Sequence, residues 1–251
     1  MREQSTTSGT EQPATSVTVA GQPVALPVRV HDALVGAATF TADLGAVAAA
    51  LPDGLVPAVW RPGRGLVVLA FVRYVDNDLG SYDEVAVCYP ARRDDGTSPL
   101  RAGLDDPLAR RVGAYVAHLP VTEEFSRAAG VGIWGFPKTL DELDLRFRVR
   151  VAGARWARDG REILRLKVPF GGSRPVPETS LATYTVHEGR LHETAFTTSG
   201  EGLRAGPGGA RLELGDHPIA DELRGLGLSR HALMTSSIRR VRGSFSAPVP
   251  C

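Results

Sequence analysis

Lys138 and Glu84 are the two side chains whose types and surroundings point to covalent amine chemistry. Lysine and arginine together number 29 in the 251 residues, yet only Lys138 and Lys167 are lysines. Unlike arginine, a desolvated lysine loses its proton and becomes a nucleophilic amine. Lys138 ends an apolar, glycine-punctuated segment, Gly130-Val131-Gly132-Ile133-Trp134-Gly135-Phe136-Pro137-Lys138. The pattern indicates a reactive amine or, with about equal weight, a surface lysine whose stem lies on Trp134.

The chemistry available to such an amine is imine formation. A neutral lysine attacks a ketone carbonyl and, after water is lost, forms a protonated imine, which acts as an electron sink. The sink stabilises the carbanion formed when CO2 leaves or when an adjacent C–H proton is removed. We expect Trp134 and Phe136 to desolvate Lys138 and thereby lower its pKa, which is about 10.4 in an unperturbed lysine.

Three stretches of the sequence together resemble the acetoacetate decarboxylase family. Gly135-Phe136-Pro137-Lys138 resembles the segment that carries the family's Schiff-base lysine, a residue known for activation by its surroundings. Leu79-Gly80-Ser81-Tyr82-Asp83-Glu84 resembles a strand-turn segment ending in Tyr-x-Glu, and residues 206–218 with 239–242 resemble the family's closing segment. The likeness spans residues 25–248, and the Lys138 segment is its specific part.

The resemblance implies a role for particular side chains. Lys138 would be the Schiff-base lysine, and Glu84 would handle protons or orient the substrate. Judged without the resemblance, Glu84 is a surface glutamate at a strand end. Tyr82 lies two residues before Glu84 and so on the same side of a strand, where packing is its expected role. The predicted substrate-binding residues are Trp134, Phe136, Tyr82 and Leu69.

The sequence also departs from the family's pattern. Thr139 stands where the family has a second lysine, Leu69 where it has an acidic residue, and Ala33 where it has an arginine that receives the substrate carboxylate. Val131-Gly132 replaces Arg-Glu ahead of the lysine. Candidates to replace the missing arginine are Arg29, His31 and Arg73. A pocket without these polar groups should prefer a larger or less charged carbonyl compound than acetoacetate.

The elements that must position these residues are mostly strands. Asp159-Gly160 and Glu188-Gly189, each between extended runs, predict hairpin turns. Residues 41–51 are the clearest helix, with Thr41 as its cap, and residues 122–127 form a short helix before the lysine segment. Residues 1–21 are predicted to be a disordered leader, and residues 22–251 a single domain of mainly antiparallel β structure (α+β). The resemblance implies a closed barrel wrapped by further strands, with a few short helices and the lysine pointing inward.

Composition bounds the remaining possibilities. The formal net charge of +1 gives no large excess of positive charge that would attract nucleic acid or an anionic membrane. The chain lacks an apolar run long enough to span a bilayer and a signal peptide, so we expect a cytoplasmic protein. Cys88 and Cys251 are predicted to be a buried thiol and a mobile terminal thiol. The histidines show no metal spacing, and Asp216-His217-Pro218 is predicted to be a turn. No metal or other cofactor is predicted.

Three functions are compatible with the sequence. The first is a lyase that decarboxylates a β-keto acid or a polyketide-like acid, as in secondary metabolism. The second keeps the imine but condenses pyruvate with an aldehyde and dehydrates the product, as an altered pocket in this family would allow. The third is a binding protein or cyclase in which Lys138 is not a nucleophile, which the loss of the second lysine favours. The expected partner is a small carbonyl compound, and the resemblance implies a homo-oligomer.

Overall fold

A computed structural model describes residues 15–94, 96 and 112–251. Within these ranges the chain forms sixteen strands and three helices. The strands are β1 (Thr15–Val19), β2 (Gln22–Leu26), β3 (Val28–Asp43), β4 (Leu55–Pro57), β5 (Arg64–Asn77), β6 (Tyr82–Arg93), β7 (Gly113–Val121), β8 (Lys138–Leu140), β9 (Glu142–Phe147), β10 (Val151–Arg158), β11 (Arg161–Pro169), β12 (Arg174–His187), β13 (Arg190–Gly206), β14 (Arg211–Leu214), β15 (Met234–Phe245) and β16 (Val249–Pro250). The helices are α1 (Leu44–Ala49), α2 (Glu124–Trp134) and α3 (Pro218–Gly225).

Seven of the strands close into a barrel. The hydrogen-bonded order is β6-β5-β3-β15-β13-β12-β7, and β7 pairs again with β6 to complete the ring. Neighbours in the ring are antiparallel except β7 and β12. Closure leaves no open sheet edge within the ring, which is one way in which β proteins avoid unwanted pairing between chains. The prediction of a mainly antiparallel closed barrel with further strands and a few short helices is confirmed.

The hairpin turns form where the sequence predicted them. Asp159 and Gly160 have φ values of 51° and 73° and connect β10 to β11. Glu188 and Gly189, at 49° and 74°, connect β12 to β13. Positive φ at both central residues matches the right-handed twist of the flanking strands. Strands β10 and β11 belong to a second sheet, with the order β14-β11-β10-β9, that lies outside the barrel.

Side-chain alternation along the barrel strands separates two apolar cores. The outer core includes Leu69 and Phe71 of β5, and there the barrel packs against Trp156 and Leu166 of the second sheet. The inner core lies on the opposite face of the same strands and includes Tyr74, with partly buried Ala70 and Val72 packed against it. A strand presents successive side chains to opposite faces, so apolar residues of β5 alternate between the two cores from Leu69 to Val72.

Helix α1 is shorter than predicted. It begins after Asp43, whose Oδ1 accepts a hydrogen bond of 2.8 Å from the N–H of Ala46. The predicted helix over residues 41–51 with Thr41 as cap is wrong at both ends. Thr41 is buried, pairs with Leu66 and still belongs to β3, because pairing with β5 continues to Asp43.

A further helix prediction needs correction, and the predicted turn at residues 216–218 is found at Asp216 and His217 but not at Pro218. The helix predicted over residues 122–127 runs on to Trp134, so much of the supposed glycine-punctuated turn is helical. The turn predicted at Asp216–Pro218 leads into α3, where His217 Nδ1 accepts a hydrogen bond from the N–H of Ile219. The sequence pattern missed the C-terminal part of α2 because that part contains glycines, and glycine has low intrinsic helix propensity.

The two ends of the described chain are more ordered than predicted. The leader predicted over residues 1–21 is wrong for Thr15–Val19, which forms β1 and pairs with β2; residues 1–14 lie outside the described residues. Cys251 is also not a free end, since its N–H donates to the carbonyl of Leu191. In the part of the chain described, no helix is long and apolar enough to cross a membrane.

Candidate active site

Helix α2 and the turn after it position Lys138. The helix ends at Gly135, whose φ of 65° is left-handed and whose N–H bonds back to the carbonyl of Val131. The chain then enters β8, which pairs in parallel with β7 so that Lys138 lies beside Leu119. Gly130 of the helix faces the lysine stem: an added Cβ would lie 2.5 Å from the Cδ of Lys138. The helix therefore leaves a notch in which the lysine side chain lies.

Lys138 and Glu84 form a buried ion pair. Lys138 Nζ is 3.0 Å from Glu84 Oε2, and the two side chains are only 5% and 9% exposed. Lys138 Nζ also donates to the hydroxyl oxygens of Tyr82 at 3.4 Å and Ser126 at 3.3 Å. The structure thus brings together three of the residues identified in the sequence, from β6 and β8, and adds Ser126 from α2.

Tyr74 completes the site from the neighbouring strand. Its hydroxyl donates to Glu84 Oε1 at 3.2 Å, and its ring lies 4.5 Å from that of Tyr82, centroid to centroid. Lys138 Nζ lies 4.8 Å from the centroid of the Tyr82 ring, within reach of a cation–π contact. Sequence reasoning missed Tyr74 and Ser126. The register between β5 and β6, which sets Tyr74 directly across from Tyr82, is the signal that identifies Tyr74.

The pair holds Lys138 in its charged form. Burial lowers the pKa of Lys138, but the adjacent carboxylate of Glu84, helped by the hydroxyl of Tyr82, outweighs burial and raises the pKa above its ordinary value. Burial also raises the pKa of Tyr82 and, further still, that of Tyr74. The sequence predicted that desolvation would lower the pKa of Lys138. That prediction is wrong in the folded protein, because the sequence did not reveal the contact between Lys138 and Glu84.

Trp134 and Phe136 are both buried but belong to an aromatic cluster. Their ring centroids are 5.8 Å apart, and each also lies near Phe245, at 6.0 and 6.3 Å. Trp134 Nε1 donates to the carbonyl of Ser246 at 2.7 Å. These contacts anchor the C-terminal end of α2 to the last long strand. Their predicted contact with substrate stays a prediction.

Leu69 is not brought to the lysine. It lies in the outer core, 1% exposed, and pairs with Val87 and Ala38 on the neighbouring strands. Because Leu69 and Glu84 belong to opposite faces of the barrel strands, the structure separates Leu69 from Lys138. The residue directly across from Glu84 is Val72. The apolar character expected at this wall of the site is therefore supplied by Val72.

Thr139 faces away from the lysine site. Its hydroxyl donates to Asp141 Oδ2 at 3.2 Å and accepts a hydrogen bond of 2.9 Å from Arg158. Asp141 also receives hydrogen bonds from Trp156 and Arg158 of the second sheet. The side chain at this position therefore joins the barrel to the second sheet.

None of the proposed substitutes for the missing arginine is recorded in contact with Lys138 or Glu84 in the described residues. Arg73 forms a two-pronged pair with Asp83, and His31 lies 3.2 Å from Asp78. Arg29 donates its backbone N–H to Asp78. Ala33 itself is buried directly across from Tyr74, so the position of the missing arginine does border the site.

The site is equipped for proton transfer and amine attack. Its ammonium and carboxylate can exchange a proton over 3.0 Å, and two tyrosines and a serine hydroxyl surround them. Within residues 15–94, 96 and 112–251, no group of three or more His, Cys, Asp or Glu side chains could hold a metal ion.

Comparison with solved structures relates this fold to known enzymes. An acetoacetate decarboxylase from Legionella pneumophila matches with a TM-score of 0.67 at 18% identity, over 90% of this chain and 87% of that one. The enduracididine biosynthesis enzyme MppR, complexed with the condensation product of pyruvate and imidazole 4-carboxaldehyde, matches at 0.65 and 15%, over 89% and 88%. An acetoacetate decarboxylase-like enzyme from Sphingomonas wittichii RW1 matches at 0.52 and 18%, over 90% and 93%.

Comparison of sequences gives the family. No curated protein matches the sequence. The family model of acetoacetate decarboxylase matches residues 15–243, which include both Glu84 and Lys138. The match begins with β1 and ends near the end of β15, and so covers the whole barrel. This chain belongs to the acetoacetate decarboxylase family.

Proposed function

We propose that this protein is a lyase whose Lys138 forms a Schiff base with a keto acid. The observation that carries the proposal is the buried pair of Lys138 and Glu84, 3.0 Å apart and more than nine-tenths removed from solvent. Burying two charges has a large desolvation cost, so such a pair in a small polar cluster points to chemistry more than to stability. Membership of a family of enzymes supports the same conclusion.

Glu84 acts as the proton carrier in this proposal. Lys138 is charged in the resting site and must lose a proton before its amine can attack. Transfer of that proton to Glu84 Oε2 gives a neutral amine and a neutral carboxylic acid, which Tyr74 orients through its hydrogen bond to Oε1. Exchange within the pair activates the lysine without a second cation.

The decarboxylation then proceeds in balanced steps. The Lys138 amine adds to the ketone carbonyl to give a carbinolamine. Glu84 returns its proton to the departing hydroxyl, so that water leaves and a protonated imine remains. The β-carboxylate loses CO2, and its bonding electrons form a neutral enamine. A proton taken from solvent through Glu84 adds to the enamine carbon, and hydrolysis of the imine releases the ketone. One proton is consumed per turnover.

The substrate in this proposal is more apolar than acetoacetate. Val72 and Ala33 border the cluster, and Lys138 is the cation recorded beside Glu84 in the described residues. The carboxylate of a keto acid would have no additional positive partner there, so an alkyl or aryl chain that packs on these side chains would supply binding that acetoacetate lacks.

Condensation of pyruvate with an aldehyde is the second candidate reaction. The fold similarity to MppR, whose complex holds such a condensation product, supports it. The same imine would serve, with proton abstraction at the pyruvate methyl replacing loss of CO2. Release of CO2 from a 3-oxo acid separates the two reactions. A non-covalent binding protein or cyclase is the third, and it requires no adduct at all.

Borohydride trapping tests the proposal. The protein is incubated with acetoacetate, pyruvate or 3-oxooctanoate, reduced, and digested for peptide mass spectrometry. We expect a reduced adduct on Lys138, with 3-oxooctanoate trapped faster than acetoacetate. Lys167 is the other lysine of the chain and should carry no adduct. In Lys167→Ala, the matched control, trapping at Lys138 should therefore be unchanged. A folded protein that gives no adduct with any acid would refute Schiff-base chemistry.

A further inference from the structure

A groove lined by basic side chains lies where the second sheet meets the barrel. Its volume is about 680 Å³, and its cations are Arg150, Lys167, Arg204, Arg211 and Arg239. They come from the loop before β10, from β11 and β14 of the second sheet, and from β13 and β15 of the barrel. The groove shares no residue with the cluster around Lys138. Arg204 and Arg239 lie on β13 and β15, whereas Glu84 lies on β6.

The charge in the groove is one-sided. The chain as a whole is nearly neutral, with 29 basic and 28 acidic residues, yet no Asp or Glu is among the lining residues. Arg211 Nε donates to Glu213, an exposed pair. The described part of the chain shows no ion pair for the other four cations. Concentrated like charge costs electrostatic free energy, and an anionic ligand relieves that cost.

Arg204 and Arg239 both line the groove from neighbouring strands of the barrel wall. Arg204 lies directly across from Ser237, two residues before Arg239, so the two arginines lie close together along the β13–β15 pair. The stem of Arg239 lies over Gly202, where an added Cβ would be 2.7 Å from the Cβ of Arg239. The groove therefore has two arginine side chains on its barrel wall, and neither has an ion-pair partner among the described residues.

The other lining residues are apolar side chains or glycines, and the two glycines lie close to neighbouring residues. Val149 is 76% exposed and Val151 41%. At Gly171, with a φ of 87°, an added Cβ would collide with the carbonyl oxygen of Val149, and at Gly209 it would lie 2.9 Å from Pro169. Exposed valines beside cations form a surface for a ligand that carries both an anionic and an apolar part.

We propose that this groove binds an organic phosphate ester with an apolar substituent. Guanidinium groups match phosphate oxygens with paired hydrogen bonds, and most of the cations here are arginines. The phosphate lies between Arg204 and Arg239, and the apolar part lies on Val149 and Val151. The site is separate from the Schiff-base lysine, so the proposal does not depend on the reaction at Lys138.

Calorimetric titration of the full-length protein with octyl phosphate and with pyrophosphate tests the proposal. Octyl phosphate should bind at one site per chain, more tightly than pyrophosphate, and more weakly as salt is added. Arg204→Gln and Arg239→Gln should each weaken both ligands about tenfold or more, since each removes a charge-assisted hydrogen bond. Val149→Ser should weaken octyl phosphate and leave pyrophosphate unchanged.

Arg240→Gln is the matched control. It neighbours Arg239 but forms an exposed pair with Glu201, so its loss should change affinity by less than about twofold. Borohydride trapping at Lys138 should continue in the presence of saturating octyl phosphate. Equal affinity in wild type and both groove variants, competition with trapping at Lys138, or binding of a single-stranded oligonucleotide but of neither small anion would overturn the proposal.

Discussion

At the scale of single residues, the candidate site depends on a buried ion pair: Lys138 Nζ lies 3.0 Å from Glu84 Oε2, and Tyr74 and Ser126 each hydrogen-bond to one member of the pair. Lys138 stands out because lysine is rare here, and Glu84 and Tyr82 follow from a resemblance. Tyr74 and Ser126 carry no local signal, because a tyrosine in a strand and a serine in a helix are ordinary residues. Their roles depend on a register and a helix orientation that only the folded chain provides.

The charge state of Lys138 can be measured directly because the chain has only two lysines. Protein labelled with ¹³C at lysine Cε should give two resonances, and Lys167→Arg assigns them. We expect Lys138 to titrate above its ordinary pKa of 10.5 in wild type. In Glu84→Gln, burial is no longer opposed by the carboxylate, and the pKa should fall below 10.5. A wild-type Lys138 that titrates below 10.5 would contradict the ion pair.

Removing one member of the pair should destabilise the fold more than removing both. Lys138→Met leaves Glu84 buried and unpaired, which should cost about 3–5 kcal/mol in the free energy of unfolding. Lys138→Met/Glu84→Gln should recover most of that loss in urea denaturation. Because the folded-state pKa of Lys138 is raised, its stabilising effect is complete below pH 10.5 and is lost as pH rises through the higher value. Additive effects of the two substitutions would argue against coupling.

Restoring the family's second lysine should not activate the first. Thr139 contacts Asp141 and Arg158 rather than Lys138. In Thr139→Lys the new ammonium should therefore pair with Asp141, and the pKa of Lys138 should stay where it is in wild type. The labelled-lysine spectrum gains one resonance and reports this directly. A drop in the Lys138 pKa would show that β8 can turn its next residue toward the site.

At the scale of elements, helix α2 is the part that the sequence described least well. Gly130, Gly132 and Gly135 suggested a turn, but only Gly135 has the left-handed φ that ends a helix. The other two are helical, and Gly130 is needed because the lysine stem occupies the space of its missing side chain. A glycine required by close packing and a glycine required by backbone conformation look alike in a sequence. The hairpin turns were predicted well because their φ requirement is local.

Gly130→Ala and Gly132→Ala should show separately how α2 affects the reactivity of Lys138 and how it affects the stability of the protein. The new methyl at residue 130 would meet the Lys138 Cδ at 2.5 Å, so the lysine must shift and borohydride trapping should slow by about tenfold or more. At residue 132 nothing lies within 4 Å, so alanine should stabilise by about 0.5–1 kcal/mol and leave trapping unchanged. Equal trapping rates in the two variants would show that Gly130 is not needed to position Lys138.

At the scale of the whole molecule, the closed barrel was expected from the family resemblance and from strand patterning. Patterning gave strands and turns, but closure depends on β6 pairing with both β5 and β7, which no local pattern specifies. The assignment of Leu69 to the site failed for the same reason. It was matched by position along the chain, whereas the face that a strand residue presents depends on register.

The two thiols should report on the integrity of the barrel. Burial raises the pKa of Cys88 to about 12, so it should not react with a disulfide reagent at pH 8 while the protein is folded. Both thiols are partly exposed, but the pKa of Cys251 is raised less than that of Cys88, so Cys251 should react slowly. Titration should give one thiol in native protein and two in urea, with Cys251→Ser as the control that leaves none in the native state. Rapid reaction of Cys88 in native protein would show that the inner core opens readily.

The division of the barrel wall into two cores also bears on how such a protein diversifies. Ala70, Val72 and Ala86 face inward with the lysine cluster, and the alternate residues of the same strands support the outer core. Mutations at these inward positions can enlarge or fill the space beside Lys138 by a methyl group or two while the opposite face keeps the fold intact. If Lys138 performs the proposed reaction, selection can change which carbonyl compound is accepted without repeated loss of stability, and proteins that share this barrel can change substrate while they keep one lysine.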